Sequence, residues 1–99
     1  MIVRERETPK GLLVAACDPG LLGETFEEGD VRLTVTEEFY GGEEVDEAAV
    51  LDSLSRATVA NLVGGEVVSL AVEHGFVDEA NVLHVDGVQH AQVLTMSRW

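Results

Sequence analysis

The sequence contains little cysteine, lysine, proline or aromatic residue. Cys17 is the only cysteine, which excludes an intrachain disulfide and favours a reducing compartment. Lys10 is the only lysine, and the chain has 6 basic residues against 19 acidic ones, a net charge of −13. This excess of negative charge excludes unaided binding to nucleic acid or to an anionic membrane at low salt.

Long apolar runs are also missing. No segment approaches the roughly 20 apolar residues of a membrane-spanning helix. Residues 12–17 end in a lipoprotein-like Ala-Ala-Cys, but this run is only six residues long. A secretory signal core needs about 7–15. We therefore expect no membrane association and a cytoplasmic location.

The remaining composition is that of an ordinary globular chain. Of the 99 residues, 45% are hydrophobic and 25% are charged. Because the chain shows no internal repeat and no linker, it predicts a single domain over residues 1–99 with one modest core.

Three segments in the first third of the chain predict β-strands. Residues 2–7 mix arginine and glutamate, which is typical of a partly exposed or edge strand. Residues 12–17 are continuously apolar, which favours a strand that is buried on both faces. Residues 31–36 alternate apolar with polar side chains, so that one face is expected to pack inward.

From Asp46 the apolar spacing changes to that of a helix. The residues that recur at three- and four-residue steps are Val50, Leu51, Leu54, Thr58 and Leu62. Asp46 as N-cap and Gly64 as the terminating glycine predict one helix between them. A second helix is predicted over residues 66–74, ended by Gly75.

Near the end of the chain, residues 82–85 and 88–95 flank Asp86-Gly87, a dipeptide that favours a two-residue hairpin turn. The order of elements is then β-β-β-α-α-β-β. It predicts an α+β fold, in which two helices pack on one face of a largely antiparallel, five-stranded sheet.

The predicted hairpin register decides which polar side chains can meet. His90 and Gln92 are expected on the face that Leu83 shares, whereas His84 and Gln89 are expected on the opposite face. A metal site that uses both histidines is therefore not expected.

Two other residues are candidates for binding. Asn61 interrupts the apolar stripe and needs hydrogen-bond partners if it is buried. Tyr40 follows Phe39 and precedes the flexible Gly41-Gly42, which suits either a recognition patch or a loop beside the core. The candidate binding residues are Tyr40, Asn61, His90 and Gln92.

No cofactor or metal motif accompanies these residues. Gly64-Gly65 precedes a helix, but the GxGxxG and GK[ST] patterns are missing and Glu66 places negative charge where a phosphate would bind. Residues 24–47 hold ten acidic side chains without the spacing of a calcium loop. We expect a solvated acidic surface and no cofactor.

Four segments can be taken together: LLGETFEEGD, EEFYGGEEVDE, ATVANLVGGEVV and GVQHAQVL. In this order they resemble an archaeal family of unknown function, domain-of-unknown-function family 424, over nearly the whole chain. The resemblance implies an archaeal cytosolic origin and a small α+β fold, and it implies no activity, cofactor or catalytic residue. Its motif positions here include Gly23, Phe26, Tyr40, Gly41, Asn61, His90 and Gln92.

An archaeal origin also bears on the charge. Some archaea hold concentrated salt, and at about 1 M the Debye length is near 3 Å, so that carboxylates hardly repel a polyanion. At such salt the acidity of the chain no longer excludes RNA.

Three functions follow as hypotheses. The first is a non-enzymatic binding or accessory module with a protein partner, linked to translation or RNA metabolism. The second is a small enzyme that uses His90 as general acid or base near Cys17 or an acidic side chain. The alternative for His90 is a half-buried imidazole bonded to Gln92 or to a backbone carbonyl. The third is a homo-oligomer formed through an edge strand or an apolar helix face, since a core of this size is marginal.

Overall fold

A computed structural model describes residues 1–94. Its strands are β1 (Ile2–Thr8), β2 (Gly11–Cys17), β3 (Thr25–Glu28), β4 (Val31–Thr34), β5 (Glu43–Glu44), β6 (Val59–Val63), β7 (Leu83–Val85) and β8 (Val88–Leu94). Its helices are α1 (Glu37–Tyr40), α2 (Glu47–Arg56) and α3 (Gly65–Glu73), with a 3-10 turn at Glu79–Asn81. Thr95, the predicted end of the last strand, lies outside the described residues.

The fold is α+β, as predicted, but the sheet differs from the prediction. Six strands lie in the order β5-β1-β2-β6-β8-β7. The central pair, β2 and β6, is parallel, whereas the other pairs are antiparallel. The sheet is thus largely antiparallel, as predicted, but the expectation of five strands was wrong and the parallel central pair was not foreseen.

The extra central strand comes from the segment predicted as the end of the first helix. Asp46 caps α2 as expected, since its carboxylate accepts from the Ala49 amide at 3.0 Å. However, α2 ends at Arg56, and the amide of Thr58 donates to the carbonyl of Leu12 at 2.8 Å. Hydrogen bonding to β2 thus replaces helical hydrogen bonding, and Gly64 begins α3 rather than ending α2.

The segment 31–36 also differs from its prediction. Only Val31–Thr34 is strand, and it pairs with β3 in a separate two-stranded hairpin. Val31 is 53% exposed, so the expected apolar face does not pack inward along its whole length. Thr36 instead caps α1, because its hydroxyl accepts from the Phe39 amide at 3.2 Å.

The second helix and the closing hairpin are confirmed. After α3, Gly75 has a φ of +80°, and the amide of Phe76 returns to the carbonyl of Ala71 at 2.8 Å, the pattern of a Schellman C-cap. Asp86 and Gly87 form the two-residue turn with φ values of +51° and +81°. The register pairs Leu83 with His90, His84 with Gln89 and Val85 with Val88, as predicted.

The sheet has a core on each face. Helices α2 and α3 pack on one face, as expected, over strand residues that include Val14, Ala16, Ala60 and Leu62. On the other face a smaller core comprises Ala15, Cys17, Val35, Tyr40 and Val63, with flanking residues from the β3–β4 hairpin and α1. This second core covers only part of its face. Within residues 1–94, no helix has the length and apolarity needed to cross a membrane.

Candidate functional site

The face of the sheet opposite α2 and α3 carries side chains in three rows, because paired residues of neighbouring strands share a face. The first row is Ile2, Cys17, Val63, His90 and Leu83. The second is Arg4, Ala15, Asn61 and Gln92, and the third is Arg6, Leu13, Val59 and Leu94. Each row begins on β1 and crosses the sheet.

The covering segments leave the far end of these rows accessible. Cys17 and Val63 are completely buried, whereas Leu83 is 58% exposed and Leu94 is 70% exposed. We call the accessible part the open face. It consists of Leu13, Val59, Asn61, Leu83, His90, Gln92 and Leu94, of which four are half-buried and three exposed.

Helix α1 bounds the open face on the side of β1. The guanidinium of Arg4 donates to the carbonyl of Gly41 at 3.0 Å, and Arg6 donates to the carbonyls of Glu38 and Phe39. Arg6 also lies 5.0 Å from the centroid of the Phe39 ring. Both arginines of β1 are thus held at α1 or at the glycine that follows it, and the open face, as described within residues 1–94, contains no arginine, lysine or carboxylate.

At the centre of the open face, two primary amides bind each other. Nε2 of Gln92 donates to Oδ1 of Asn61 at 2.9 Å, because β6 and β8 place the two residues directly opposite. This bond leaves one carbonyl oxygen on Gln92 and one NH₂ on Asn61 for other partners. If both amides are turned over, the free groups are still one acceptor and one donor.

His90 is held by the backbone of the neighbouring strand. Its Nδ1–H donates to the carbonyl of Leu62 at 2.9 Å, since a carbonyl oxygen can only accept. In the neutral ring this leaves Nε2 unprotonated, as an acceptor on the half-buried side chain. Of the two sequence-based interpretations, the bond to a backbone carbonyl is the one that the structure shows.

The structure does not bring His90 and Cys17 together. Val63 lies between them in the first row, so the two side chains are separated by two strand spacings, about 10 Å. Burial, together with the smaller effect of the neighbouring Asp18 charge, raises the pKa of the Cys17 thiol to about 11. A thiol without exposed surface and with this pKa is a poor nucleophile.

Tyr40 is separated from the other three candidates. It is only 5% exposed, and its ring packs edge-on against Phe39 with centroids 5.0 Å apart. Burial, followed by the Cys17 thiol, raises the pKa of its hydroxyl to about 12. Tyr40 therefore belongs to the second core, whereas Asn61, His90 and Gln92 share the open face.

The start of α3 is already occupied by the chain's own carboxylate. Asp18, which follows β2, accepts from the amides of Glu66 and Val67, each at 2.9 Å. Because β2 and β6 are parallel, their carboxyl ends meet at one edge of the sheet and bring Asp18 to the helix. This intramolecular cap takes the place that an anion would occupy in a phosphate cradle.

The other two histidines lie away from His90. His84 points to the face opposite His90, and the ring of His74 bonds to the carbonyl of Leu70 at 3.1 Å. Within the part of the chain that the structure describes, no group of three or more His, Cys, Asp or Glu could hold a metal ion. The ten acidic residues of the segment 24–47 are all exposed.

Sequence reasoning missed one concave site. A cleft of about 510 Å³ lies between α3 and β7, on the face of the sheet that carries the helices. Its apolar wall is formed by Val68, Val72 and Val82, and its polar lining includes Glu73, Glu79 and His84. The four-residue step on α3 and the alternation of Val82 with His84 are the only signals in the sequence, and both are equally typical of a core.

The comparisons with known proteins place the chain in a family. The model of a family described as "Protein of unknown function (DUF424)" matches residues 5–96. The chain belongs to this family. The membership confirms the resemblance found in the four sequence segments, and the family's description names no activity.

One solved structure is similar over the whole fold. The crystal structure of an uncharacterized conserved protein from Methanopyrus kandleri has a TM-score of 0.73 and 24% sequence identity, and the match covers 99% of this chain and 95% of that one. At this identity the likeness shows that the DUF424 chain and its archaeal neighbour share a fold. No curated protein matches the chain significantly.

Proposed function

We propose that this protein is a non-enzymatic binding module and that its open face docks a protein partner. The observation that carries this proposal is the hydrogen-bonded pair of Asn61 and Gln92, placed between apolar side chains on a part of the sheet that no element within residues 1–94 covers. Apolar area that excludes water, together with a few directed polar groups, is the composition of protein interfaces. The free donor and acceptor of the pair match one peptide group or one side-chain amide of a partner.

The charge of the chain indicates what surrounds that contact on the partner. The open face carries no charge when His90 is neutral, but the whole chain has a net charge of −13. The negative charge of the chain attracts a partner whose binding surface has a basic rim. The apolar centre of that surface then contacts the apolar residues of the open face. A second copy of the chain would instead bring two strongly negative molecules together.

We extend the proposal to a cytoplasmic accessory role in translation or RNA metabolism. Proteins of that machinery carry the basic surfaces that nucleic acid requires, and such surfaces complement this acidic chain. Direct RNA binding is a weaker candidate, because within residues 1–94 the open face has no lysine or arginine and no aromatic ring beyond His90 on which bases could stack. The free thiol of Cys17 agrees with a reducing compartment.

Catalysis by His90 has less support than binding. A general acid or base must lie within hydrogen-bond reach of the group whose proton it transfers, for example a nucleophilic side chain of the protein. Cys17 is completely buried within the second core, and the neighbours of His90 on the open face are amides and apolar side chains. Its unprotonated Nε2 is better suited to accept a hydrogen bond from a partner.

The test uses the immobilised protein in a native extract of its source organism, at the salt of that cytosol. Leu94→Asp places a charge on the open face at a 70% exposed position, where the fold tolerates it. Ala48→Asp makes the same change at an exposed position of α2, on the opposite layer. We expect wild type and Ala48→Asp to retain the same stoichiometric partner, and Leu94→Asp to lose at least tenfold of it.

A second step examines the captured partner after purification. Amide hydrogen exchange is expected to slow in residues 59–63 and 88–94 of the complex, with α2 unchanged. Three results would overturn the proposal: equal capture by Leu94→Asp, capture that nuclease abolishes, or a wild-type homodimer in light scattering that Leu94→Asp converts to monomer. The last two outcomes identify RNA or a second copy as the occupant instead.

A further inference from the structure

We propose that the cleft between α3 and β7 binds a free aliphatic diamine, that is, protonated amines at the ends of a hydrocarbon chain. The site is independent of the open face, because it lies on the opposite side of the sheet. Nothing in the proposed docking function uses it.

The cleft exists because the helices do not cover the whole sheet. Helix α2 packs beside β2, and α3 packs over β6 and β8. The edge strand β7 therefore has no helix above it, and the helix-side surface of His84 and Val82 stays open beside α3. The volume of about 510 Å³ is within the range of small-molecule sites, roughly 300–1,000 Å³.

The walls of the cleft differ in polarity. Val68 is 1% exposed and forms its floor, with Val72 and Val82 half-buried beside it. Such a wall takes methylene groups, whereas a hydrated metal ion gains nothing from it. The ligand therefore has an apolar body.

The charged groups of the lining select a cation. Glu73 and Glu79 come from separate elements, α3 and the 3-10 turn, and none of the described residues that line the cleft is lysine or arginine. Glu73 is also the last residue of α3, where the negative end of the helix dipole adds to the attraction. Two carboxylates on separate elements, in one cleft with an apolar wall, match two ammonium groups joined by a hydrocarbon chain.

The test is a nuclear magnetic resonance titration with 1,5-diaminopentane at an ionic strength of about 0.15 M, where surface attraction beyond roughly 8 Å is screened. Saturable shifts are expected for the amides of Val68, Val72 and His84. Glu73→Gln/Glu79→Gln should raise Kd about tenfold. The control Glu37→Gln/Glu38→Gln removes the same charge from α1 and should change Kd less than twofold.

Two further measurements separate the apolar and ionic contributions. Val72→Ser should raise Kd about fivefold without a change of charge. Methylammonium, which has no hydrocarbon chain, should bind at least tenfold more weakly than the diamine. Leu94→Asp on the open face should leave Kd unchanged, so that failure of the docking proposal does not affect this one.

Several results would overturn the inference. Shifts spread over the acidic surface, or equal losses in the two glutamine pairs, mean unspecific attraction to a chain of net charge −13. Displacement of the diamine by millimolar Mg²⁺ means a cation site without an apolar component. Tighter binding of Nα-acetyl-lysine amide than of the diamine means that the cleft takes a lysine side chain of another protein.

Discussion

At the scale of single residues, the buried thiol of Cys17 couples stability to alkaline pH. Its pKa is raised from 9.0 to about 11, mainly by burial. The folded chain keeps a proton that the unfolded chain loses, so this contribution is fully present below pH 9 and is lost as the pH rises to 11. Tyr40, with a pKa raised from 10.0 to about 12, adds a similar loss at higher pH.

We therefore predict that the free energy of unfolding declines between pH 9 and 11, and that Cys17→Ala declines less steeply because Tyr40 alone remains. Urea unfolding at pH 8, 9, 10 and 11 measures both slopes. Parallel slopes for the two proteins would show that the thiol is not held in its protonated form.

A second residue-scale contribution comes from Glu5. Ser53, only 6% exposed, donates to its carboxylate at 2.5 Å, and Arg56 donates to the same oxygen at 2.5 Å. These bonds, with that of Ser53 the larger cause, lower the pKa of Glu5 below 4.5. Because the folded pKa is depressed, the stabilisation is present above pH 4.5 and is lost as the pH falls through the folded pKa.

We predict that Ser53→Ala lowers the free energy of unfolding by about 1 kcal/mol at pH 7. A hydrogen bond to a charged group contributes more than this, but the carboxylate of Glu5 is partly exposed, and solvent weakens the bond. The loss should shrink at pH 3, where Glu5 gains a proton. Ser55→Ala, an exposed serine in the same helix, serves as the control and should cost less. A loss of equal size at pH 3 and 7 would mean that Ser53 acts through packing and not through Glu5.

At the scale of elements, the junction of β6 and α3 requires a residue without a Cβ atom. Gly64 has a φ of +117°, and a Cβ there would lie 2.3 Å from Cγ of Asp18, the carboxylate that caps α3. Gly75 also has a positive φ, +80°, but a Cβ there meets nothing within 4 Å. The two glycines separate the cost of backbone strain from the cost of displacing the cap.

We predict that Gly64→Ala costs more than Gly75→Ala by about 1 kcal/mol or more, since losing an N-cap alone costs roughly 0.5–2 kcal/mol. Gly75→Ala should cost about 1 kcal/mol for the left-handed conformation alone. Thermal unfolding of both variants, with Asp18→Ala for comparison, gives the difference. Equal losses in the two glycine variants would mean that Asp18 moves away without consequence.

The elements that sequence could and could not predict differ in a physical way. The second helix and the turn at Asp86-Gly87 could be predicted, because their conformations depend on residues that are close together in the sequence. Residues 59–63 gave no local signal of a strand, since apolar residues on both faces of this short strand leave no period of two in its sequence. Leu62 continues the four-residue apolar spacing of α2. Residues 59–63 are nevertheless extended, because their backbone groups form hydrogen bonds with β2 and β8.

The same mistake explains what was missed at the candidate site. The hairpin register placed His90 and Gln92 on one face correctly. Asn61 was assigned to a helix, so its bond to Gln92 could not be predicted from the pairing of strands. The sequence around Tyr40 suits either a surface patch or a core position. Tyr40 is buried because α1 packs on the second face of the sheet.

At the scale of the whole molecule, negative charge is little compensated. The ion pairs found within residues 1–94 are Arg32 with Glu27 and Arg56 with Glu5 and Asp52. The net charge of −13 is confined to a chain whose Cα radius of gyration is 12.8 Å. Repulsion among carboxylates therefore opposes the compact state and is weakened by salt.

We predict that the melting temperature rises by several degrees between about 0.02 M and 1 M NaCl, where the Debye length shortens from roughly 20 Å to 3 Å. Glu43→Gln/Glu44→Gln, which removes two exposed charges at the sheet edge, should reduce this increase. Calorimetry at the two salt concentrations measures it. Equal melting temperatures for wild type would show that the acidic surface does not destabilise the fold.

The parallel pairing of β2 with β6 has a consequence for biosynthesis. The two strands are separated by residues 18–58, so a ribosome that has released the first half of the chain has supplied the β1–β2 hairpin without the neighbour that β2 requires. Until residue 63 emerges, the apolar edge of β2 has no partner, and β8 must follow to enclose β6. We therefore expect nascent chains halted between residues 17 and 63 to be the stage at which this protein is most exposed to aggregation and most dependent on chaperones.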